Sequence, residues 1–413
     1  MLIGNCIVAQ SGGPTSVINA SACGVIMEAF KQQCIQEVYG AQNGIEGLLN
    51  QELFDLRKED IRQIELLKYT PSSALGSCRY HLPSLAEDEA TYKKIFQIFE
   101  AYNIRYFFYI GGNDSMDTVH KISGYAKQIG YALCAIGVPK TVDNDLMYTD
   151  HCPGYGSAAK YIATTLLEMA EDANVYKSNI VTVVEVMGRN AGWLAAAGAL
   201  AVKENKRLAD LIYLPETVFD FKKFHTDVET LYKKKGKVLV IVSEGIRNEE
   251  GGYIAQQQAQ QHDIFGHTQL GGVGQTLGNY IMRHITKRVK VIEYGILQRC
   301  AAHCASETDI SEAYILGREG VKEAIKGNTG YMIALHRVGN KPYTCTTLLV
   351  PLDKVANFEK KIPREWINED GNYVTEDCIE YMKPLIAGEC YPPEDEGLPV
   401  YAKLEKHFIG KKL

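Results

Sequence analysis

The chain has 413 residues, 46% of them apolar and 23% charged, with 37 Gly and 13 Pro. That is globular composition, long enough for one large α/β unit or two domains of ordinary size. Its 44 Lys and Arg against 50 Asp and Glu leave a formal charge of −6 and no basic tail, which argues against a nucleic-acid binder. The longest nearly apolar stretch, residues 192–202, falls far short of the roughly 18–20 residues of a membrane span. The opening MLIGNCIVAQSGG lacks a basic n-region and a small-residue cleavage site, so no signal peptide is expected. Eleven Cys are scattered, and the closest, Cys300 and Cys304, stand four apart. This spacing predicts no zinc site and instead buried thiols acting as small hydrophobes in a reducing, cytoplasmic compartment.

One unit recurs along the chain: a short apolar run, a Gly-rich polar break, then residues at helical spacing. Residues 6–9 run into SGGPTS, after which Ile18, Ala22, Val25 and Ala29 define a helix. Residues 104–110 (IRYFFYI) run into GGNDS, followed by Met116, Val119, Ile122, Ala126 and Ile129. Residues 133–138 lead to PKTVDND, 180–187 to GRNAG and 238–242 to SEG. Such runs, alternating with helices, predict buried parallel strands in βαβ units. Ligands of these sheets sit beyond the carboxyl ends of the strands, so the polar breaks are the expected site loops. No fixed-period repeat is visible. After Lys341 the character changes to Pro, acidic and Tyr-rich pieces such as YPPEDEG, read as a C-terminal extension packed on the core.

Gly12 and Gly13 end one strand and precede a helix, where backbone N–H groups can approach an anion; alone they fit a tight turn equally well. In GGNDS, Asn113 and Asp114 can hold Mg²⁺ directly or through water, or simply cap the helix. Lys140, Thr141, Asp143, Asn144 and Asp145 crowd the next strand end. Neighbouring carboxylates repel, which points to a general base with its partner or to a metal site rather than a solvated turn. Met187, Gly188, Arg189 and Asn190 place a guanidinium fork after another strand. Glu244 ends a further strand, Glu216 follows Pro215, and Leu297, Gln298 and Arg299 add a cation. Together these favour an anionic, hydroxyl-bearing ligand. His303 and the other histidines are given no role.

SGGPTSVINA, LGSCRY, GGNDS, PKTVDND, EVMGRNAGW, PE and LQR occur in this order between residues 11 and 299. In this the chain resembles the phosphofructokinase family. GGNDSMDT, HCPGYGSAAKY and LQRCAAH are most similar to its pyrophosphate-dependent branch. The resemblance implies two Rossmann-like parallel-sheet lobes and a C-terminal extension. Residues 1–146 would form a donor-binding lobe completed by residues after about 300, 147–299 a sugar-phosphate lobe, and 330–413 the extension. It implies phosphoryl transfer from pyrophosphate to the C1 hydroxyl of fructose 6-phosphate, with Mg²⁺, in a cytoplasmic homo-oligomer, dimer or tetramer.

By the same resemblance Asp143 is the general base, Asp145 orients its loop, and Thr141 and Val142 contact substrate. Gly12, Gly13, Arg79 and Lys140 line the donor site, and Asn113 and Asp114 hold the metal. Met187, Gly188, Arg189, Glu216 or Glu244, Lys290, Ile296, Leu297, Gln298 and Arg299 form the sugar-phosphate site, with Glu244 favoured. ATP-using relatives carry Gly where this chain has Asp114 and Lys140. A carboxylate facing the α-phosphate at about 4 Å costs about 4 kcal/mol at an effective dielectric of ~20, nearly a thousandfold in affinity. Three departures from the family pattern stand out: Asn113 for an Asp, Ile180 and Lys290 for Arg residues that cross a subunit interface, and Ile296 for an aromatic or His. Asn113, Ile180 and Ile296 favour one alternative, a non-catalytic regulatory subunit, and an ATP-using sugar-phosphate kinase is a separate one.

Overall fold

The apolar runs become strands because each is buried on both faces. The computed structural model describes residues 2–255 and 271–413. Five strands open the first sheet: β1 (Gly4–Gln10), β2 (Ile35–Ala41), β3 (Leu53–Asp55), β4 (Ile104–Gly111) and β5 (Cys134–Pro139). Four make the second: β6 (Ile180–Val186), β7 (Leu211–Tyr213), β8 (Lys237–Ser243) and β9 (Val289–Glu293). The chain then returns to the first sheet as β10 (Tyr331–Asn340) and β11 (Tyr343–Pro351). The orders are β11-β10-β5-β4-β1-β2-β3 and β9-β6-β8-β7. Every pairing in the second sheet is parallel. In the first, β3 and β11 run antiparallel at the two edges.

Residues 331–351, which the sequence assigns to a 330–413 extension, are strands of the first sheet, because residues 332–335 form an apolar run buried beside β5. The extension that follows carries a short helix and a tail whose Ile409 N–H donates to the Leu53 carbonyl at 2.9 Å, lengthening the β3 edge.

Alternation of side chains divides the first sheet cleanly. Cys6, Val8, Tyr106, Phe108 and Ile110 face helix α1 (Ile18–Lys31) and helix α4 (Glu307–Ile325), while Ile7, Ala9, Phe107 and Tyr109 face α2 (Asn113–Ile129). Helix α3 (Tyr155–Asn174) covers the second sheet. α1 and α4 meet at glycines: a Cβ on Gly24 would lie 2.1 Å from the Tyr314 carbonyl oxygen, and one on Gly317 2.1 Å from that of Ser21. The predicted helix of residues 116–129 forms, though Ile129 in its last turn is exposed.

Register sets the site. Gln10 pairs with Ile110, and Gly111 with Pro139, so the loops after β1, β4 and β5 leave at one level. Val186 pairs with Ser243, which brings Met187 and Glu244 out together from the second sheet. The two sets of carboxyl ends face one cleft.

Candidate active site

The cleft has a volume of about 700 Å³. Gly12 and Gly13 form one wall beside Arg79. Gly12 adopts φ 75°, which a side chain would strain. A Cβ on Gly13 would come within 2.9 Å of an Arg299 guanidinium nitrogen, so glycine is what lets that cation reach the loop. The Lys140 ammonium donates to the Gly13 carbonyl at 2.6 Å. Its pKa falls to about 8 through burial, the neighbouring Arg299 and Arg79 adding to the effect against Asp143 and Asp145. Arg299 is lowered in the same sense by burial and by Arg79. Cations lowered by burial and by neighbouring cations mark a place suited to an anion.

α2 begins at this end of the cleft, with Gly112 as its N-cap and no side chain capping it. Neither Asn113, Asp114 nor Ser115 takes the capping role that composition allowed. Asp114 lines the cleft. Asn113 lines it too, yet its amide is committed elsewhere: Nδ2 donates to the Phe358 carbonyl at 2.5 Å and Oδ1 accepts from Asn357 N–H at 2.6 Å.

The loop after β5 carries the carboxylates. Thr141 Oγ1 accepts from Asp143 N–H at 3.1 Å, holding the turn. Thr141, Val142, Asp143 and Asp145 all line the cleft. Asp143 is raised by burial and by Glu244, against the pull of Arg189, Lys140 and Arg299. Asp145 is raised by burial, by Asp143 and by Glu359, and its Oδ1 is buried without a hydrogen-bond partner.

From the second sheet come Met187, Arg189 and Glu244. Glu244, partly buried and pushed up to about 6, accepts from Gly188 N–H at 3.3 Å. Gly188 itself lies behind the surface at φ 136°, where a Cβ would meet Ser243 Oγ at 2.8 Å. Gln298 also works from behind: buried, it accepts from Met187 N–H at 3.2 Å. Glu216 does not reach the cleft. One of its oxygens accepts from Gly192 and Ile362 N–H at 2.9 and 3.1 Å, bracing the Arg189 loop. Of the two glutamates left open by sequence, Glu244 is therefore the one placed to meet a ligand.

Three expected site residues stand apart within this chain. Ile296 and Leu297 are 62% and 55% exposed, and Lys290, on the edge strand β9, pairs with Asp172 at 3.3 Å. Conversely, Asn357, Phe358, Glu359 and Lys361 line the cleft and were missed. This strap crosses from Asn113 to Asn190, whose Nδ2 donates to Glu359 at 2.6 Å. Its only signal was the charged EKK before Pro363, which has no periodicity to place it.

Two sheets whose parallel strands end at one cleft lined by cations and raised carboxylates describe a phosphoryl-transfer site. Residues 5–321 match the family Phosphofructokinase, and the chain belongs to it. It is 46% identical over 413 residues to the pyrophosphate–fructose 6-phosphate 1-phosphotransferase of Halomonas elongata, covering 99% of this chain and 98% of that one. It is 45% identical to the protein of that name from Methylococcus capsulatus, at 99% and 98% coverage. The crystal structure of a pyrophosphate-dependent phosphofructokinase from Nitrosospira multiformis superposes with a TM-score of 0.90 at 41% identity, covering 99% and 98% of the two chains.

Proposed function

We propose that this protein transfers a phosphoryl group from pyrophosphate to the C1 hydroxyl of fructose 6-phosphate, giving fructose 1,6-bisphosphate and phosphate, and that it does so reversibly. The observation that carries the reading is the pair Asp114 and Lys140 at the donor end of the same cleft as Asp143. Asp114 sets a carboxylate against the extra phosphate of a nucleotide. Lys140 gives pyrophosphate a compact cation beside the Gly12–Gly13 wall.

In this reading Asp143 takes the proton of the C1 hydroxyl as that oxygen bonds to the terminal phosphorus. The bond to the departing phosphate breaks, and Lys140, Arg79 and Arg299 hold the charge that collects there. Arg189 and Glu244 orient the sugar phosphate through its anionic and hydroxyl groups. The reverse reaction uses the same groups, with the protonated Asp143 returning its proton.

Among the described residues five cations line the cleft (Arg79, Lys140, Arg189, Arg299, Lys361) against five carboxylates (Asp114, Asp143, Asp145, Glu244, Glu359). Two phosphate-bearing ligands entering a neutral cleft need added positive charge, and the orphaned Asp145 Oδ1 suits a hard cation. Asp114 and Asp145 would hold Mg²⁺, with Asn113 bracing the strap. Bound there, the ion would neutralise phosphate oxygens and fix the donor's orientation. No helix among the described residues is long and apolar enough to cross a membrane. We place the activity in the cytoplasm and in a homo-oligomer, where Lys290, Ile296 and Leu297 serve a second copy.

The test is formation of fructose 1,6-bisphosphate from fructose 6-phosphate and Mg²⁺ with either pyrophosphate or ATP. Turnover with pyrophosphate and little with ATP is expected. Turnover with ATP alone would overturn the donor assignment, and binding of fructose 6-phosphate without turnover on either would make the chain a regulatory subunit.

A further inference from the structure

Between Asp143 and Asp145 lies Asn144, wholly buried and held at φ 54°. A non-glycine residue in that left-handed region is uncommon, Asn being among the few that enter it, and it persists where the surroundings over-determine it. Here they do. Asn144 Nδ2 donates to the Tyr381 hydroxyl at 3.0 Å, and its Oδ1 accepts from Cys152 N–H at 2.9 Å. The same hydroxyl donates to the Asp150 carbonyl at 2.7 Å, so one oxygen ties two points of the loop that carries both carboxylates.

Tyr381 lies on α5 (Glu376–Met382), far beyond the residues 5–321 that match the family. Its ring is fixed on several sides: Trp366 at 5.1 Å, Trp193 at 5.4 Å, and the Arg337 guanidinium 4.6 Å from its centre. Lys360 grips the same loop from the strap. Its N–H donates to the Asp145 carbonyl at 2.6 Å, and its ammonium donates to the carbonyls of Thr149 and Asp150 at 3.1 and 2.7 Å. None of Tyr381, Lys360 and Asn144 lines the cleft.

We propose that Tyr381 is a positioning residue for the reaction: through Asn144 its hydroxyl sets the height and direction from which Asp143 meets the substrate hydroxyl. The C-terminal segment is on this view part of the catalytic apparatus, although it contributes no reacting atom from α5. The proposal rests on the function given above. A base displaced by about 1 Å loses up to about 10²-fold in rate, while the binding groups on other loops stay where they are.

Tyr381→Phe removes one oxygen and leaves the stacked ring. Its kcat with pyrophosphate should fall about tenfold, with KM for both substrates and calorimetric affinity for fructose 6-phosphate within about twofold. Asn144→Ala should fall comparably, and the double variant should be no slower than the slower single one, because both changes break one link. Additive losses would overturn the proposal, as would a Tyr381→Phe kcat within twofold of the parent or a loss confined to the melting temperature. A parent protein that turns over ATP and not pyrophosphate would instead overturn the donor reading, and the same cycle run with ATP then decides the role of Tyr381.

Discussion

The two halves of the cleft are strained by like charges of opposite sign. At the donor half Lys140 and Arg299 are both pulled below their ordinary values by burial and by neighbouring cations. At the acceptor half Asp143 and Glu244 are both pushed up, first by burial, with a neighbouring carboxylate adding to each. One half is poised to accept an anion and the other to accept a proton. A phosphoryl group moving between them leaves charge where the cations are and takes its nucleophile from where the base is. Each half also restrains the other, since Lys140 and Arg299 lower Asp143 while Asp143 raises both cations.

Removing one member from each half separates their duties. Asp143→Asn should lower kcat about 10³-fold, within the span that general bases contribute, while calorimetric affinity for fructose 6-phosphate changes by less than about threefold. Equal losses in binding and rate would make Asp143 a substrate contact instead of a base. On the opposite side, Asp114→Gly with Lys140→Gly should cost more than about 10² in kcat/KM for pyrophosphate, the scale of losing a preorganised charge contact. An unchanged pyrophosphate rate would remove the basis of the donor assignment.

The halves also predict where activity lies in pH. An ordinary carboxylate and lysine would bracket a window from about 4 to about 10. Burial narrows it from both ends. The base must be ionised, so kcat/KM falls as pH drops through the range of the Asp143 carboxylate, which burial and Glu244 raise above its ordinary value. Lys140 must be charged, so activity falls again as pH rises through about 8. Lys140→Arg carries a charge that does not titrate below about 12, and it should lose the alkaline limb, at whatever cost in rate. An alkaline limb that survives in this variant belongs to another group.

The donor half was largely legible in the amino-acid order. Gly12–Gly13, GGNDS and PKTVDND are contiguous motifs, each at the end of an apolar run, and parallel pairing brings their ends level. The acceptor half was legible only in part. Met187, Arg189 and Glu244 follow strands, whereas Glu216 and Gln298 proved to be braces because nothing local tells a side chain in the cleft from one directed at a backbone N–H behind it. Asn357–Lys361 and Tyr381 reach the site from more than two hundred residues beyond Asp143, by contacts that no period or motif encodes. Asn113 shows the same limit at close range: its amide could cap, bind metal or hold the strap, and only the position of Phe358 decides.

The smallest expected effect concerns a residue outside both halves. Lys290 points along an exposed sheet edge and pairs with Asp172, both side chains more than half exposed, a contact worth about 0–1 kcal/mol. Within one copy it stands outside the described lining of the cleft. In the proposed homo-oligomer it would meet a sugar phosphate across a contact between copies, where an ammonium–phosphate contact is worth about 1.5 kcal/mol or slightly more. Lys290→Ala should therefore raise KM for fructose 6-phosphate about tenfold with kcat unchanged, and dilution below the assembly's dissociation constant should raise the parent's KM to match. If KM stays within twofold, the acceptor half is complete in one chain, and Arg189 carries the sugar phosphate without a second copy. If dilution changes nothing while the variant is impaired, the residue acts within its own strand, through the β9 edge that it shares with Glu293.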